Sequence, residues 1–283
     1  MNLTRSTFLR SGLAGAALLA APGILRAQPK VIRFATEAAF PPFNQSTPSG
    51  QIVGFEPDLV AALSERAGFE YELIAQAWDG MIQGLIDGKY DAVVDAVTIT
   101  PKRLEVIDFS LPYTTGGSTF LTMNEAGLTL ESNGTQVDLE DTAATEAAVA
   151  GIADALDGKV VAVQVATIQS DFLETYIAPL GATIRTYQSG QDAFQDLTNG
   201  RADLMMSSVT NLTAFLKKNP ESISMNGPIF TGGIMGRGAA IAVRKGDTER
   251  QALFDTALKA MSDDGSLAEM SAKWFGINVS PKL

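Results

Sequence analysis

The sequence predicts an α/β protein of two similar lobes, each a mostly parallel sheet with flanking helices, with a ligand cleft between the lobes. Between residues 31 and 94, strand-like and helix-like spacings alternate as β-α-β-α-β, and the same order returns between 159 and 206. Each run implies a parallel sheet with helices on its faces. A local echo sits at the same point of both runs. Leu85-Ile86-Asp87-Gly88-Lys89-Tyr90-Asp91-Ala92 and Leu197-Thr198-Asn199-Gly200-Arg201-Ala202-Asp203-Leu204 share a helix end, a glycine cap, a base and an aspartate that opens a strand.

Residues 31–36 read as a short strand. Residues 55–67 have helical spacing and stop at Gly68, which suits a helix end. Residues 69–75 alternate apolar and polar side chains, as a half-buried strand does. A helix over 78–87 ends at Gly88, and 91–94 form a short buried strand. In the second run, 159–164, 182–187 and 202–206 are strands, with helices over 169–177 and around 192–197. Residues 125–155 break the pattern: they are rich in Gly, Thr, Ala and acids, and only 145–156 have helical spacing. This segment reads as an acidic surface insertion in the second lobe, with a docking surface as the alternative. Residues 248–275 read as helical, with Leu253, Phe254, Leu258, Met261 and Leu267 on apolar faces. Open α/β sheets bind ligands beyond the carboxyl ends of their strands. Asp95-Ala96-Val97-Thr98, Val165-Ala166-Thr167 and Ser207-Ser208 lie there.

The chain has 283 residues, a net charge of −11, and neither Cys nor His. An acidic surface repels phosphate, so no nucleic-acid partner is expected. Without Cys or His, the usual zinc and copper sites, thiol nucleophiles and His-based triads are excluded, and no metal or cofactor is expected. Residues 1–27 read as a secretory signal peptide: Arg5 and Arg10 supply a basic start, an apolar run covers 13–21, and Ala27 precedes Gln28. Thr4-Arg5-Ser6-Thr7-Phe8-Leu9-Arg10 resembles the twin-arginine export motif, with Ser6 at the second arginine position. The apolar run is short for a bilayer span and Pro22-Gly23 interrupts its end, which argues against a membrane anchor.

Thr100-Pro101-Lys102-Arg103 poses a chemical question. It reads as a helix start, with Thr as N-cap and Pro at the first helical position. A helix N-terminus carries partial positive charge and favours anions, so cations there have the wrong sign. Either they are solvated, or Arg103 pairs with Glu105 or Asp108, or an anion sits between the helix end and Arg103.

Eight motifs occur in order: Phe40-Pro41-Pro42-Phe43, Gly54-Phe55-Glu56-Pro57-Asp58-Leu59, Trp78-Asp79-Gly80, Gly88-Lys89-Tyr90-Asp91-Ala92, Thr98-Ile99-Thr100-Pro101-Lys102-Arg103, Asp108-Phe109-Ser110-Leu111-Pro112-Tyr113, Ile241-Ala242-Val243-Arg244-Lys245-Gly246 and Lys273-Trp274-Phe275-Gly276. The ordered set resembles the periplasmic amino-acid-binding proteins of ABC importers, the polar-amino-acid branch of solute-binding protein family 3. The resemblance implies a two-lobed periplasmic-binding-protein fold of type II topology. Residues 28–115 and 240–283 would form lobe 1 and 116–239 lobe 2, with crossings near 114–117 and 236–240. It implies a monomer in the periplasm that captures a small polar amino acid, cationic or amide-bearing, or a derivative. The ligand would pass to an ABC permease in the inner membrane.

The same resemblance assigns roles. Arg103 would clamp the ligand's α-carboxylate, as a guanidinium offers two parallel donors. Thr98 would contact it through its hydroxyl and N–H, the Ala96 carbonyl would take an ammonium proton, and Phe40 and Trp78 would wall the side chain. Thr167 would present N–H groups from the second lobe; the family usually has Gly-Thr-Thr or Gly-Thr-Ser where this chain has Ala166-Thr167-Ile168. At Ser208 the family commonly has an Asp for the α-ammonium. Here the acid stands at Asp95, where the family often has Ser, and Glu37 occupies a position where an acid in some relatives meets a cationic side chain. Two alternatives remain: an enzyme on the same fold, such as a cyclohexadienyl dehydratase with Asp95 or Glu37 as proton donor, and a sensor module feeding a receptor.

Overall fold

The computed structural model describes residues 31–283; the expected signal peptide over 1–27 lies outside the described residues. The first part of the chain forms β1 (Val31–Thr36), β2 (Ala39–Phe40), β3 (Asn44–Ser46), β4 (Ile52–Val53), α1 (Phe55–Ala67), β5 (Glu70–Ala75), α2 (Met81–Ile86), β6 (Ala92–Val93), α3 (Pro101–Leu104) and β7 (Ile107–Thr114). The middle forms β8 (Ser118–Met123), β9 (Gln136–Asp138), α4 (Thr142–Leu156), β10 (Val160–Gln164), α5 (Ile168–Phe172), β11 (Thr183–Tyr187), α6 (Gly190–Thr198), β12 (Leu204–Ser208), α7 (Val209–Lys218) and β13 (Ile223–Thr231). The last part forms β14 (Ala239–Arg244), α8 (Thr248–Asp263) and α9 (Ser266–Phe275).

Two large sheets follow, in the orders β5-β1-β6-β14-β7 and β11-β10-β12-β8-β13-β9; β2, β3 and β4 form a small third sheet. Each large sheet is mixed rather than mostly parallel. β5, β1 and β6 run parallel, as do β11, β10 and β12, while β14 and β7, and β8 and β13, pair antiparallel. The antiparallel strands are the ones that carry the chain across. β7 leaves the first sheet and β8 enters the second; β13 leaves the second and β14 returns. Glycine is required where these crossings touch. A Cβ on Gly117 would lie 2.6 Å from the Ile229 side chain and 2.8 Å from the Phe230 carbonyl oxygen. Gly238 has φ +99° and a Cβ there would strike the Thr114 carbonyl.

The period-2 pattern of the buried strands explains why each sheet is covered on both faces. Ala92 and Val94 enter one core with α1, α8 and α9, while Val93 enters another with Met81 and Leu85 of α2. In the second lobe Val161, Val163, Leu204 and Met206 face α4 and α5, whereas Ala162 and Met205 face α6 and α7. Burial on both faces is why these strands are continuously apolar.

Local signals shift several boundaries. α2 starts at Met81 because Gly80 is left-handed at φ 83°, so Trp78 stands in the loop before it. The helix expected over 169–177 starts at Ile168 and widens into a π turn over Leu173–Ile177. The helical stretch 248–275 breaks at Gly265, φ 81°, into α8 and α9. Residues 125–155 sit against the second sheet, where β9 pairs parallel with β13. One face of the segment is core: Leu130, Val137, Leu139 and Ile152 are buried. No helix among the described residues is long and apolar enough to cross a membrane.

Because Ile152 has no exposed surface, Ile152→Ala should destabilise the protein by about 2–5 kcal/mol. A surface appendage would leave stability within roughly 0.5 kcal/mol. Urea denaturation of both proteins distinguishes the two.

Candidate functional site

The carboxyl ends of both sets of parallel strands open on a single cleft between the lobes, about 850 Å³ including the part open to solvent. Glu37, Phe40, Trp78, Asp95, Ala96, Thr98 and Arg103 line it from the first lobe, and Thr167 and Ser208 from the second. Ala166 is beside it rather than in its wall: its carbonyl accepts the Trp78 indole N–H at 3.2 Å.

Arg103 stands in α3, a single turn of four residues capped by Thr100, whose hydroxyl accepts the Arg103 N–H at 3.2 Å. So short a helix contributes little dipole, and the guanidinium itself is the charged feature. Its Nη1 donates to the Thr98 carbonyl at 2.9 Å, and the group lies 5.4 Å from the Trp78 ring centroid. Neither acid considered as a surface partner holds it: among the described residues no carboxylate is within ion-pair distance of Arg103, and Asp108 pairs with Lys245 at 2.8 Å. Asp171 lies across the cleft but is paired with Lys102 at 3.3 Å. Burial lowers the Arg103 pKa to about 10, opposed by the Asp171 charge, so it stays protonated at neutral pH.

The same lobe also carries a group of carboxylates at the cleft. Asp95 is 5 % exposed. Its Oδ1 accepts from Asn44 Nδ2 at 2.7 Å, the Glu37 N–H at 2.9 Å and the Thr36 hydroxyl at 3.3 Å. Beneath it, Glu56 is fully buried and accepts from the Ala96 N–H at 2.6 Å, Asn44 Nδ2 at 2.7 Å and the Tyr113 hydroxyl. Asn44 therefore spends one amide hydrogen on each acid. Burial, then the charges of Glu56 and Glu37, push the Asp95 pKa well above the usual carboxylate range. Burial raises Glu56 and Glu37 too. Among the described residues none of these three acids has an ion-pair partner.

On the second lobe the hydroxyls act as helix caps. Thr167 caps α5, accepting the Ser170 N–H at 3.1 Å and donating to the Gln164 carbonyl at 2.8 Å. Ser208 caps α7, accepting the Asn211 N–H at 3.2 Å. The backbone beside the cleft is strained in a repeated way. Ala38 follows β1 by two residues with φ 56°, and Ala166 follows β10 by two residues with φ 58°; Ala96 has φ 47°. A non-glycine residue there costs about 1–2 kcal/mol.

Sequence reasoning overlooked the residues that span or support the cleft. Gln164, 7 % exposed, donates from Nε2 to Glu37 Oε1 across the lobes at 2.9 Å. Asn211 Nδ2 donates to the Pro41 carbonyl at 2.6 Å. Asn44, Glu56 and Tyr113 do their work from the core. The Gly54-Phe55-Glu56 motif contained one of them, without any signal that its acid would be buried. No group of three or more acids among the described residues is arranged to hold a metal.

Comparison with known proteins agrees with this geometry. The model of the bacterial extracellular solute-binding proteins, family 3, matches residues 32–277. The octopine-binding periplasmic protein of Rhizobium meliloti is 36 % identical, the match covering 94 % of this chain and 97 % of that one. The L-arginine-binding protein of Pseudomonas aeruginosa is 31 % identical over 88 % of this chain and 90 % of its own. Among solved structures, an ancestral arginine-binding protein bound to arginine superposes with a TM-score of 0.72 at 29 % identity, covering 87 % of this chain and 98 % of that one. The two-lobed architecture, the cleft at the strand ends and a family match over nearly all the described residues lead to one conclusion: this chain belongs to the bacterial extracellular solute-binding proteins, family 3.

Proposed function

We propose that this protein captures a cationic amino acid, or an N-substituted derivative of one, in the periplasm and delivers it to an ABC permease without chemical change. The observation that carries this is the separation of unmatched charge in the cleft. Arg103 has no carboxylate of its own, while Glu37 and Asp95 on the same lobe, backed by Glu56, have no cation. A ligand with a carboxylate at one point and positive charge elsewhere satisfies both. The relatives named for octopine and for arginine support the same class. Arg103 takes the α-carboxylate, the Trp78 ring and Phe40 flank the side chain, and Asp95 with Glu37 receives the positive charge. Ser208 brings no charge and spends its oxygen on the α7 cap, so Asp95 is the main ammonium partner.

Binding without catalysis is supported by the state of the acids. Asp95 and Glu56 are each tied by three donors, an arrangement that pins both carboxyl groups in one orientation. A turnover assay with prephenate and arogenate tests this directly, and product formation would overturn it.

Arg103→Ala should abolish binding of L-arginine and octopine with the fold intact. Removing one partner of a desolvated charge pair costs about 3–5 kcal/mol, a hundredfold or more in affinity. Titration calorimetry reads this, and a melting scan checks the fold. Asp95→Asn keeps an oxygen for the three local donors but removes the charge, so it should weaken binding by about tenfold or more, against less than about threefold for Ser208→Ala. Equal losses, or tighter binding by Asp95→Asn, would remove Asp95 from the ammonium role.

A further inference from the structure

Glu56 does not line the cleft, yet it controls the part of the wall that does. It is fully buried in α1, and its Oε1 holds the Ala96 N–H at 2.6 Å while Ala96 sits in the left-handed region at φ 47°. That bond fixes the turn that follows Asp95. Through Asn44, whose amide donates to Glu56 Oε2 and Asp95 Oδ1 at 2.7 Å each, the two acids are locked at one separation with only an amide between them. We infer that Glu56 is a positioning residue that makes ligand capture proton-linked: it holds Asp95 beside a second buried carboxylate, so that the unliganded cleft retains a proton which the arriving cation displaces. This rests on the cationic-ligand reading above.

The groups that raise Asp95 are acidic, and Arg103, the cation on the same cleft wall, is engaged by the Thr98 carbonyl and the Trp78 ring instead. Glu56 faces it from α1, Glu37 from the loop after β1, and the Tyr113 and Tyr90 hydroxyl groups from β7 and the turn before β6. Asp192, from α6, adds negative charge beyond Glu37. Among the described residues no cation pairs with any of the three acids of this group. Two buried carboxylates in contact with a shared donor do not both ionise freely, and both are raised above their ordinary range.

The sign follows. A bound cation favours the ionised acids, so binding releases a proton and affinity rises with pH through the raised value, then levels. The unliganded fold behaves oppositely, because acids raised in the folded state destabilise it as pH rises through that value. Through these acids, acidification favours the empty fold while it weakens capture; Asp91, Asp108, Asp196 and Asp264, whose values are lowered, act on stability in the opposite direction.

Calorimetry of L-arginine binding to the wild-type protein, in two buffers of different ionisation enthalpy, should show proton release at pH values above the ordinary carboxylate range, where the raised acids of the empty cleft still hold a proton. Glu56→Gln should lower affinity at neutral pH by roughly tenfold and move the acid limb of binding to lower pH by about one unit, since one like charge is gone. Asn44→Ala should move that limb to higher pH, because both carboxylates lose a donor. The opposite signs separate this role from a purely structural one, and a melting scan shows that each variant folds. If wild-type binding is tight but releases no proton, or the limb stays fixed in both variants, Glu56 has no such role and the cationic reading stands. If neither L-arginine nor octopine binds, the cationic reading itself falls, and this inference with it.

Discussion

The guanidinium of Arg103 is held by a carbonyl and an aromatic face, and the surrounding structure keeps acids away from it. Asp108, five residues on, is committed to Lys245 at 2.8 Å and to the Gly246 N–H at 2.7 Å. Asp171, the acid whose charge it feels most, is tied to Lys102 at the rim. An unpaired, partly desolvated cation is costly. The fold maintains one in its cleft while Asp108 and Asp171 are given other partners. Glu37, Asp95 and the buried Glu56 behind them, on the same lobe, are treated the same way, satisfied by N–H and O–H donors and, among the described residues, never by a base. The two ends of this wall are thus each held in place and electrically incomplete.

The two lobes are related in more than strand order. Ala38 and Ala166 stand two residues past β1 and β10 with φ 56° and 58°, so the same strained turn closes the first strand of each repeat. Strain of this size persists where the surroundings over-determine it. On the first lobe it brings Glu37 and Phe40 to the cleft; on the second it presents the Ala166 carbonyl to Trp78. The third left-handed alanine, Ala96, is held by Glu56 rather than by a repeat partner.

Much of this architecture is legible in the sequence, for reasons that particular residues make plain. The short apolar run Ala92-Val93-Val94, between turn signals, suits a strand covered on both faces, and β6 forms there over Ala92–Val93 with its neighbours in two cores. Gly68 and Gly88 stop helices because their left-handed conformations admit little else. The crossing strands are less legible: no strand is predicted over β7, β8, β13 or β14, and nothing local says that they run antiparallel. Asp95, Ala96, Thr98, Ala166, Thr167 and Ser208 lie at or just past strand ends, where the order of elements places them; Glu37, Phe40 and Trp78 are nominated only through the family resemblance, which also gives Arg103 its role. Their supporting partners do not show, since Asn44 meets Asp95 across 51 positions and Gln164 meets Glu37 across 127. A buried polar contact between distant segments leaves no periodicity.

The placement of Trp78 has an optical consequence. The chain has two tryptophans. Trp274 donates to Asp58 at 2.9 Å within the first lobe, a setting unaffected by how the lobes stand to each other. Trp78, 7 % exposed, donates to a carbonyl of the opposite lobe and stacks near a guanidinium. Any separation of the lobes would break that bond and admit solvent to one indole only. The emission of the native protein would then carry a constant component and a component that reports the lobe contact, without attaching a dye.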